Sequence, residues 1–295
     1  MDKRVLQADW LLLFTAAIWG AAFVAQRAGM EYVGAFTFNG IRFALGMLVL
    51  LPLAMRRSAW DNSADDPGCS KKAPGFQAFW GGALAGIMLF SGASLQQLGL
   101  VSTTAGKAGF ITGLYVIIVP ILGLFWGIRS SRGVWVGAGL AVIGLYLLSV
   151  TRGFSFAPGD LLVLLGAFFW AAHVLVVGWL SPRVQRLRLA CAQYGICSVL
   201  SLIVAGWAEP IIPAAIFRAA VPILYGGIAS VGIAYTLQVL AQKDAPPAHA
   251  AIILSLESVF AALAGWLILG EILSLRGMIG AGLMLVGMLT AQLWP

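Results

Sequence analysis

The sequence predicts an all-α integral membrane protein whose ten transmembrane helices form two inverted repeats of five. Of the 295 residues, 61% are hydrophobic and 10% are charged, whereas soluble domains carry roughly 25% charged residues. A pattern near the N-terminus also returns in mid-chain, because Asp9 and Trp19 are matched by Asp160 and Trp170 at an offset of 151 residues. An odd number of spans per copy makes the second copy enter the membrane from the opposite side. We therefore expect an inverted repeat, the construction of many alternating-access carriers.

Continuous apolar stretches define the predicted helices. Crossing a hydrocarbon core of roughly 30 Å takes about 20 helical residues, and the sequence leaves no room for a separate soluble domain. The predicted halves are residues 1–150 and 151–295. The predicted spans are 9–26, 35–55, 76–98, 108–127, 134–150, 160–180, 189–207, 219–241, 248–269 and 275–293. The hydrophilic stretch 56–75 is interpreted as a flexible cytoplasmic connector.

Basic residues predict the orientation. With the N-terminus inside, twelve of the 18 Lys and Arg residues fall in cytoplasmic segments and five in outer ones. This bias places both termini in the cytoplasm of a multi-pass protein of the bacterial inner membrane. The first span resembles a signal peptide, but its Asp-to-Trp pattern opens the second half as well, so we expect the span to be retained.

Glycines at helical spacing predict close packing of helices in lipid. Gly137 and Gly144 in the fifth span correspond to Gly280 and Gly287 in the tenth at an offset of 143 residues. These glycines are interpreted first as packing contacts inside the bundle. A homodimer through the fifth and tenth spans is the alternative.

Several classes of function are excluded by the sequence. It contains no HExxH, Walker or GxSxG motif, and its two histidines have no neighbouring cysteine or carboxylate with metal-ligand spacing. We therefore expect no enzyme, no cofactor and no metal site. The net charge of +7 follows from the cytoplasmic loops, and without a basic stripe interleaved with aromatic residues it does not predict nucleic-acid binding. The expected partners are a small-molecule substrate and membrane lipid.

Polar side chains inside the spans are the candidate site, since charge is costly in the bilayer and normally faces a wet interior. Arg42 lies in the second span and Glu257 in the ninth, and Gln193 occupies the position that matches Arg42 in the second half. Arg42 is suited to a substrate carboxylate or phosphate, or alternatively to a structural salt bridge. Glu257 is suited to a substrate amine or a coupling proton, or alternatively to pairing with Arg42.

Aromatic and amide side chains extend this candidate site. Trp170 and His173 share one face of the sixth span, and Trp19 occupies the matching place in the first. Their alternative roles are core packing or an interfacial belt. Gln97 and Gln238 correspond at an offset of 141 residues and precede segments that favour gates or discontinuous helices. Weaker candidates for the lining are Ser94, Thr112, Tyr115 and Ser255. Lys107 and His249 are interpreted as loop residues.

Four short motifs give the chain a family resemblance. They are the stretches 19–23 (WGAAF), 102–120 (which ends GLYVIIVP), 256–260 (LESVF) and 269–271 (LGE). In the order of these motifs and in its two repeats of five helices, the chain resembles the EamA family of the drug/metabolite transporter superfamily. The resemblance implies a ten-helix carrier that exports amino acids, other metabolites or drugs. It also implies a central cavity offering Ser94, Tyr115, Trp170, Gln238 and Glu257. Ser258 stands where many relatives have proline, which argues against a break in helix nine at that point.

The resulting hypothesis is a secondary carrier that exports or exchanges a small amphipathic metabolite, namely an amino acid or similar zwitterion. Arg42 would hold the acid group, Glu257 or a glutamine the amine, and Trp19 and Trp170 the apolar body. A polyspecific drug exporter is the alternative. A phosphorylated-metabolite antiporter is disfavoured because only Arg42 supplies a clear basic side chain. A non-transporting scaffold would need an added soluble domain.

Overall fold

The computed structural model describes residues 3–55, 75–103, 105–150, 158–269 and 274–294, and every regular element among them is helical. The predicted all-α membrane fold is confirmed. The helices of the first half are α1 (Lys3–Met30), α2 (Ala35–Met55), α3 (Gly75–Gly99), α4 (Ala105–Gly113), α5 (Tyr115–Phe125) and α6 (Arg132–Ser149). The predicted connector 56–75 lies, except for its last residue, outside the described residues.

The second half begins with two long helices and continues with shorter pieces. Its elements are α7 (Pro158–Leu180), α8 (Arg186–Ala208), α9 (Pro213–Arg218), α10 (Ala220–Leu224), a π-helix (Tyr225–Tyr235), α11 (Thr236–Ala241), α12 (Pro247–Ser255), α13 (Glu257–Leu269) and α14 (Leu275–Leu293). Their bounds agree with the predicted spans to within a few residues, except that α1 starts six residues earlier than expected.

The outer surface of the bundle suits lipid. Among the described residues, nine helical stretches are long and apolar enough to cross a membrane. The remaining predicted span, 76–98, corresponds to α3, so the count of ten stays a prediction. Large apolar side chains such as Phe125, Trp207 and Phe217 are more than four-fifths exposed. In water such exposure would be unfavourable, whereas in hydrocarbon it costs little.

Two spans are interrupted at corresponding positions. Leu114 separates α4 from α5, and Leu256 separates α12 from α13. Both residues keep right-handed helical backbone angles, so each interruption is one tightened turn rather than an unwound segment. Ser258, where the missing proline argued against a break, lies inside α13, and the interruption forms two residues earlier at Leu256. Tyr115 and Glu257 therefore become the first residues of α5 and α13.

The π-helix brings the second half against α1. The Thr15 hydroxyl donates to the carbonyl of Ala234 at 3.2 Å, and the Trp19 indole N–H donates to the carbonyl of Ser230 at 3.4 Å. In return, the Tyr225 hydroxyl donates to the Ile18 carbonyl at 2.9 Å. π-Helical turns often occur at functional sites, and this one contributes Ser230 and Tyr235 to the centre of the bundle.

Matched glycines bring α6 and α14 into backbone contact. A Cβ atom added to Gly137 would lie 2.5 Å from the carbonyl oxygen of Gly287, and one added to Gly144 would lie 2.5 Å from that of Gly280. These glycines therefore serve packing within the chain, the first of the two predicted roles. They are not available as a dimer surface, and a homodimer through other faces of these helices stays a prediction.

Candidate functional site

A small polar cavity lies in the middle of the bundle and is lined by helices of both halves. Its volume of about 40 Å³ accommodates a few water molecules, whereas small-molecule sites typically measure roughly 300 Å³ or more. A metabolite can therefore enter only if the walls move apart. Seven of the residues predicted from the sequence line the cavity: Trp19, Arg42, Thr112, Tyr115, Trp170, Gln238 and Glu257.

Three aromatic rings form one side of the cavity. The Tyr235 ring lies 4.5 Å from Trp19 and is stacked 6.0 Å from Trp170, measured between centroids. Stacked and tilted arrangements of this kind are favourable for aromatic pairs. Trp19 and Trp170, which correspond across the repeat, thus meet through Tyr235. This aromatic wall offers an apolar surface to the organic part of a ligand.

Arg42 is a buried cation of the cavity lining. Its side chain is 2% exposed, its Nε donates to Asn39 Oδ1 at 3.0 Å, and its guanidinium lies 4.9 Å from the centroid of the Phe43 ring. Among the described residues no carboxylate lies within 4.0 Å of it. An uncompensated buried charge is costly, and arginine keeps its charge at all physiological pH values. The site is therefore suited to an anionic group.

Glu257 supplies the opposite charge to the same cavity. It is 5% exposed and, in the part of the chain that the structure describes, has no Lys, Arg or His within 4.0 Å. The predicted alternative of an ion pair with Arg42 is thus absent here. Tyr115, at the matching position of the other repeat, is its polar neighbour, although the hydroxyl makes no hydrogen bond of normal geometry.

Amide and hydroxyl groups complete the polar lining. Gln238 is 1% exposed, and neither amide atom has a hydrogen-bond partner among the described residues; the same holds for its repeat counterpart Gln97, which is fully buried but lies outside the cavity lining. The Thr112 hydroxyl is likewise unpartnered there. Buried polar groups are normally hydrogen-bonded. The groups of Gln238 and Thr112 are therefore available to a ligand or to water.

The other predicted residues lie behind the cavity wall. His173 Nε2 is 2.8 Å from Gln193 Oε1, and both side chains are fully buried. The Ser255 hydroxyl donates to the carbonyl of Ile252 in its own helix. Ser94 is buried without a partner among the described residues. These four residues do not line the cavity, so the predicted symmetric pair of Arg42 and Gln193 does not face it from both sides.

A chain of hydrogen bonds across three helices was not predicted from the sequence. The Trp170 indole N–H donates to Gln96 Oε1 at 2.9 Å, and Gln96 Nε2 donates to Gln26 Oε1 at 3.4 Å. Gln96 thereby fixes the orientation of the Trp170 ring. Tyr235 was also missed, although its spacing of three residues from Gln238 places both on one helical face.

Buried carboxylates join the two halves at both ends of the cavity. Where α1 and α12 begin, Asp9 Oδ1 lies 2.8 Å from His249 Nε2, and Asp9 Oδ2 accepts from Gln292 Nε2 at 2.6 Å. At the opposite end, where α7 begins, Asp160 Oδ1 accepts from the Thr103 hydroxyl at 2.5 Å. His249, interpreted from the sequence as a loop residue, lies in the first turn of α12. The side chain of Lys107 lies outside the described set.

No metal site is evident in the described part of the chain, where no three His, Cys, Asp or Glu side chains cluster. Cys191 and Cys197 are free thiols. The cavity presents charged groups, amide groups and an aromatic surface, and these are features of a binding site.

The apolar helices and the polar cavity between two halves define a multi-pass membrane protein of the carrier class. The chain belongs to the EamA-like transporter family, which it matches twice, over residues 6–150 and 157–291. It is 31% identical over 299 residues to an uncharacterized transporter of Archaeoglobus fulgidus, a match that covers 98% of this chain and 86% of the relative.

Bacterial relatives are also named as transporters, and one solved structure shares the fold. The chain is 24% identical to the uncharacterized inner membrane transporter YedA of Escherichia coli, over 69% of this chain and 64% of that protein. It is 27% identical to the uncharacterized transporter YvbV of Bacillus subtilis, over 68% and 63% respectively. One crystal structure superposes with a TM-score of 0.77 at 19% identity and covers 97% of this chain and 96% of its own. The protein is a membrane transporter.

Proposed function

We propose that the protein is a secondary transporter that exports or exchanges amino acids or similar zwitterions across the inner membrane by alternating access. The observation that carries this proposal is the pairing of charges in one cavity. Arg42 and Glu257 both line it, and neither makes an ion pair within the described residues. Two buried charges of opposite sign, left without partners, match the two charged groups of a zwitterion.

Each wall of the cavity has a role in this proposal. The guanidinium of Arg42 binds the substrate carboxylate, since its fork of N–H donors matches that geometry. Glu257 binds the ammonium group, and the unpartnered amide of Gln238 supplies a further polar contact. The aromatic wall of Trp19, Tyr235 and Trp170 packs against the organic part of the substrate.

The placement of the carboxylates supports alternating access between inverted halves. Asp9 and Asp160 occupy the same position of the sequence repeat, yet they lie at opposite ends of the cavity and each bonds to the other half. In this proposal, breaking the contacts of Asp9 or those of Asp160 opens the cavity toward one side of the membrane only. The small volume of the cavity is expected for a state in which the contacts of both aspartates are formed. Basic residues in the loops orient both termini toward the cytoplasm.

The direct test is uptake of ¹⁴C-labelled neutral amino acids by proteoliposomes containing the purified protein. We expect Arg42→Gln and Glu257→Gln each to lower the flux roughly 30-fold or more, because a hydrogen bond to a charged group contributes about 2 kcal/mol or more. Arg129→Gln and Glu31→Gln, at exposed positions, are matched controls. Wild-type flux in both cavity variants would remove this site and leave the transporter assignment intact.

The aromatic lining favours one second candidate, a polyspecific exporter of lipophilic cations. Such a protein would use Trp19, Trp170, Tyr235 and Phe23 as an apolar surface and Glu257 as its charged group. Cells that express the protein would then gain resistance to lipophilic cations, and this resistance would be lost in Glu257→Gln but kept in Arg42→Gln. Loss in both variants would argue for the zwitterion.

A further inference from the structure

Glu257 is the carboxyl group in the lining of the cavity. It is the first residue of α13, directly after the tightened turn at Leu256, and it faces a space that holds only a few water molecules. Among the described residues it has no ion-pair partner, and the Tyr115 hydroxyl is its polar neighbour. An isolated carboxylate in such surroundings is neutralised by a proton or by a bound cation.

The titratable and charged groups around Glu257 are few. Tyr115 of α5 is its polar neighbour and Tyr235 of the π-helix interacts with it electrostatically, while Arg42 of α2 lines the same cavity. On α7, the Nε2 atom of His173 is hydrogen-bonded to Gln193. Other charged groups on the described helices include Asp9 with His249, Arg27, Asp160, Arg132 and Arg276, and the side chain of Lys107 is not described.

We propose that Glu257 binds a proton and the ammonium group of the substrate in turn, so that the export of one zwitterion is coupled to the entry of one proton. This inference rests on the proposed function. Arg42 stays charged throughout, so only Glu257 needs to change its charge when substrate binds. Gln238 and Thr112, with unpartnered polar groups in the same cavity, can hold the water through which the proton leaves.

The cycle balances in protons and charge. When substrate enters from one side, the O–H bond of the Glu257 carboxylic acid breaks and its proton passes to cavity water on that side, while the ammonium group binds the carboxylate. On the other side the ammonium group leaves, and the carboxylate takes up a proton from water there. The site returns with Glu257 protonated and neutral and with Arg42 still positively charged. One positive charge therefore crosses the membrane against each zwitterion.

Two measurements test the coupling. In proteoliposomes with a pH difference of one unit, we expect the wild type to accumulate ¹⁴C-labelled neutral amino acids up to about tenfold against their gradient, because one proton moved across one pH unit is equivalent to a tenfold concentration ratio. In weakly buffered detergent solution, addition of the same amino acids is expected to release about one proton per protein. Glu257→Gln is expected to abolish the release, whereas Glu257→Asp and the exposed control Glu31→Gln keep it.

The outcomes separate this inference from the proposed function. Amino-acid flux that is independent of the pH difference, without proton release by the wild type, overturns the coupling and leaves the proposed function standing. Proton release by a Glu257→Gln variant with the wild-type unfolding temperature also overturns it. Absence of any amino-acid flux in the wild type refutes the proposed function itself.

Discussion

Each end of the cavity holds one aspartate of the repeat, and the hydrogen bonds described for the two aspartates differ. At the end where α1 begins, Asp9 bonds to an ionisable side chain, His249, and to Gln292, and so joins three helices. At the end where α7 begins, Asp160 accepts from a hydroxyl, that of Thr103. Lys107 occupies the repeat position of His249. The sequence repeat therefore places an aspartate at both ends.

A second carboxylate strengthens the end where α7 begins. Glu209, which follows α8, accepts from the backbone N–H groups of Phe36 and Thr37 at 2.9 and 2.8 Å and from the Thr37 hydroxyl at 2.7 Å. It thus caps the first turn of α2 in the other half. The described contacts at one end include an acid–histidine contact, and those at the other include carboxylates that accept from hydroxyl and backbone groups. Substitutions should reveal this difference.

The largest effect is expected at Asp9. Asp9→Asn removes the charge that accepts from both His249 and Gln292, and we expect it to lower the free energy of unfolding by about 2–4 kcal/mol, as when one partner of a buried pair is lost. Chemical denaturation in detergent would measure this change, with the exposed Glu31→Gln as control. A loss no greater than that of the control would mean that the link at this end contributes nothing to stability.

Glu209→Gln should have an intermediate effect. The amide keeps one acceptor oxygen but loses the charge and one of the bonds to α2, so we expect a loss of about 1–2 kcal/mol in the same measurement. Gly34→Ala serves as a second probe, because its Cβ would lie 2.1 Å from the Glu209 carboxyl carbon and displace it. If the two variants differ widely, the contact with α2 is not what stabilises this end.

Thr103→Val should have the smallest effect. It removes one hydrogen bond to Asp160 and preserves side-chain volume, and we expect a loss of about 1 kcal/mol. Thr290→Val is the matched control, since the Thr290 hydroxyl bonds only to a carbonyl of its own helix among the described residues. A cost for Thr103→Val that exceeded that of Asp9→Asn would reverse the comparison between the two ends.

The sequence allowed residues of the cavity to be predicted where a polar side chain lies in an apolar span, because such side chains are costly in the membrane. Arg42, Glu257, Trp19 and Trp170 could be selected because each stands out in an apolar span or repeats across the halves, and all four line the cavity. The contact of Asp9 with His249 could not be found in this way, because 240 residues separate the partners and neither lies deep within a span.

The π-helix and the orientation of Gln193 could not be predicted, because they depend on tertiary packing that the local sequence does not reveal. Nothing in the composition of 225–235 distinguishes a π-helix from an α-helix, yet this segment brings Tyr235 between the two tryptophans. Gln193 was expected to face the cavity as the counterpart of Arg42. It bonds to His173 instead, because symmetry in sequence fixes the position of a residue along its helix but not the direction of its side chain.

The glycine contact between α6 and α14 has a consequence for biosynthesis. Gly137 and Gly287 lie 150 residues apart in the chain, so at about 5–20 residues per second the ribosome needs roughly 10–30 seconds to deliver the second surface after the first. During that interval the glycine face of α6 has no α14 to pack against. Truncation of the last helix would leave it in that state permanently, and we expect such chains to be degraded.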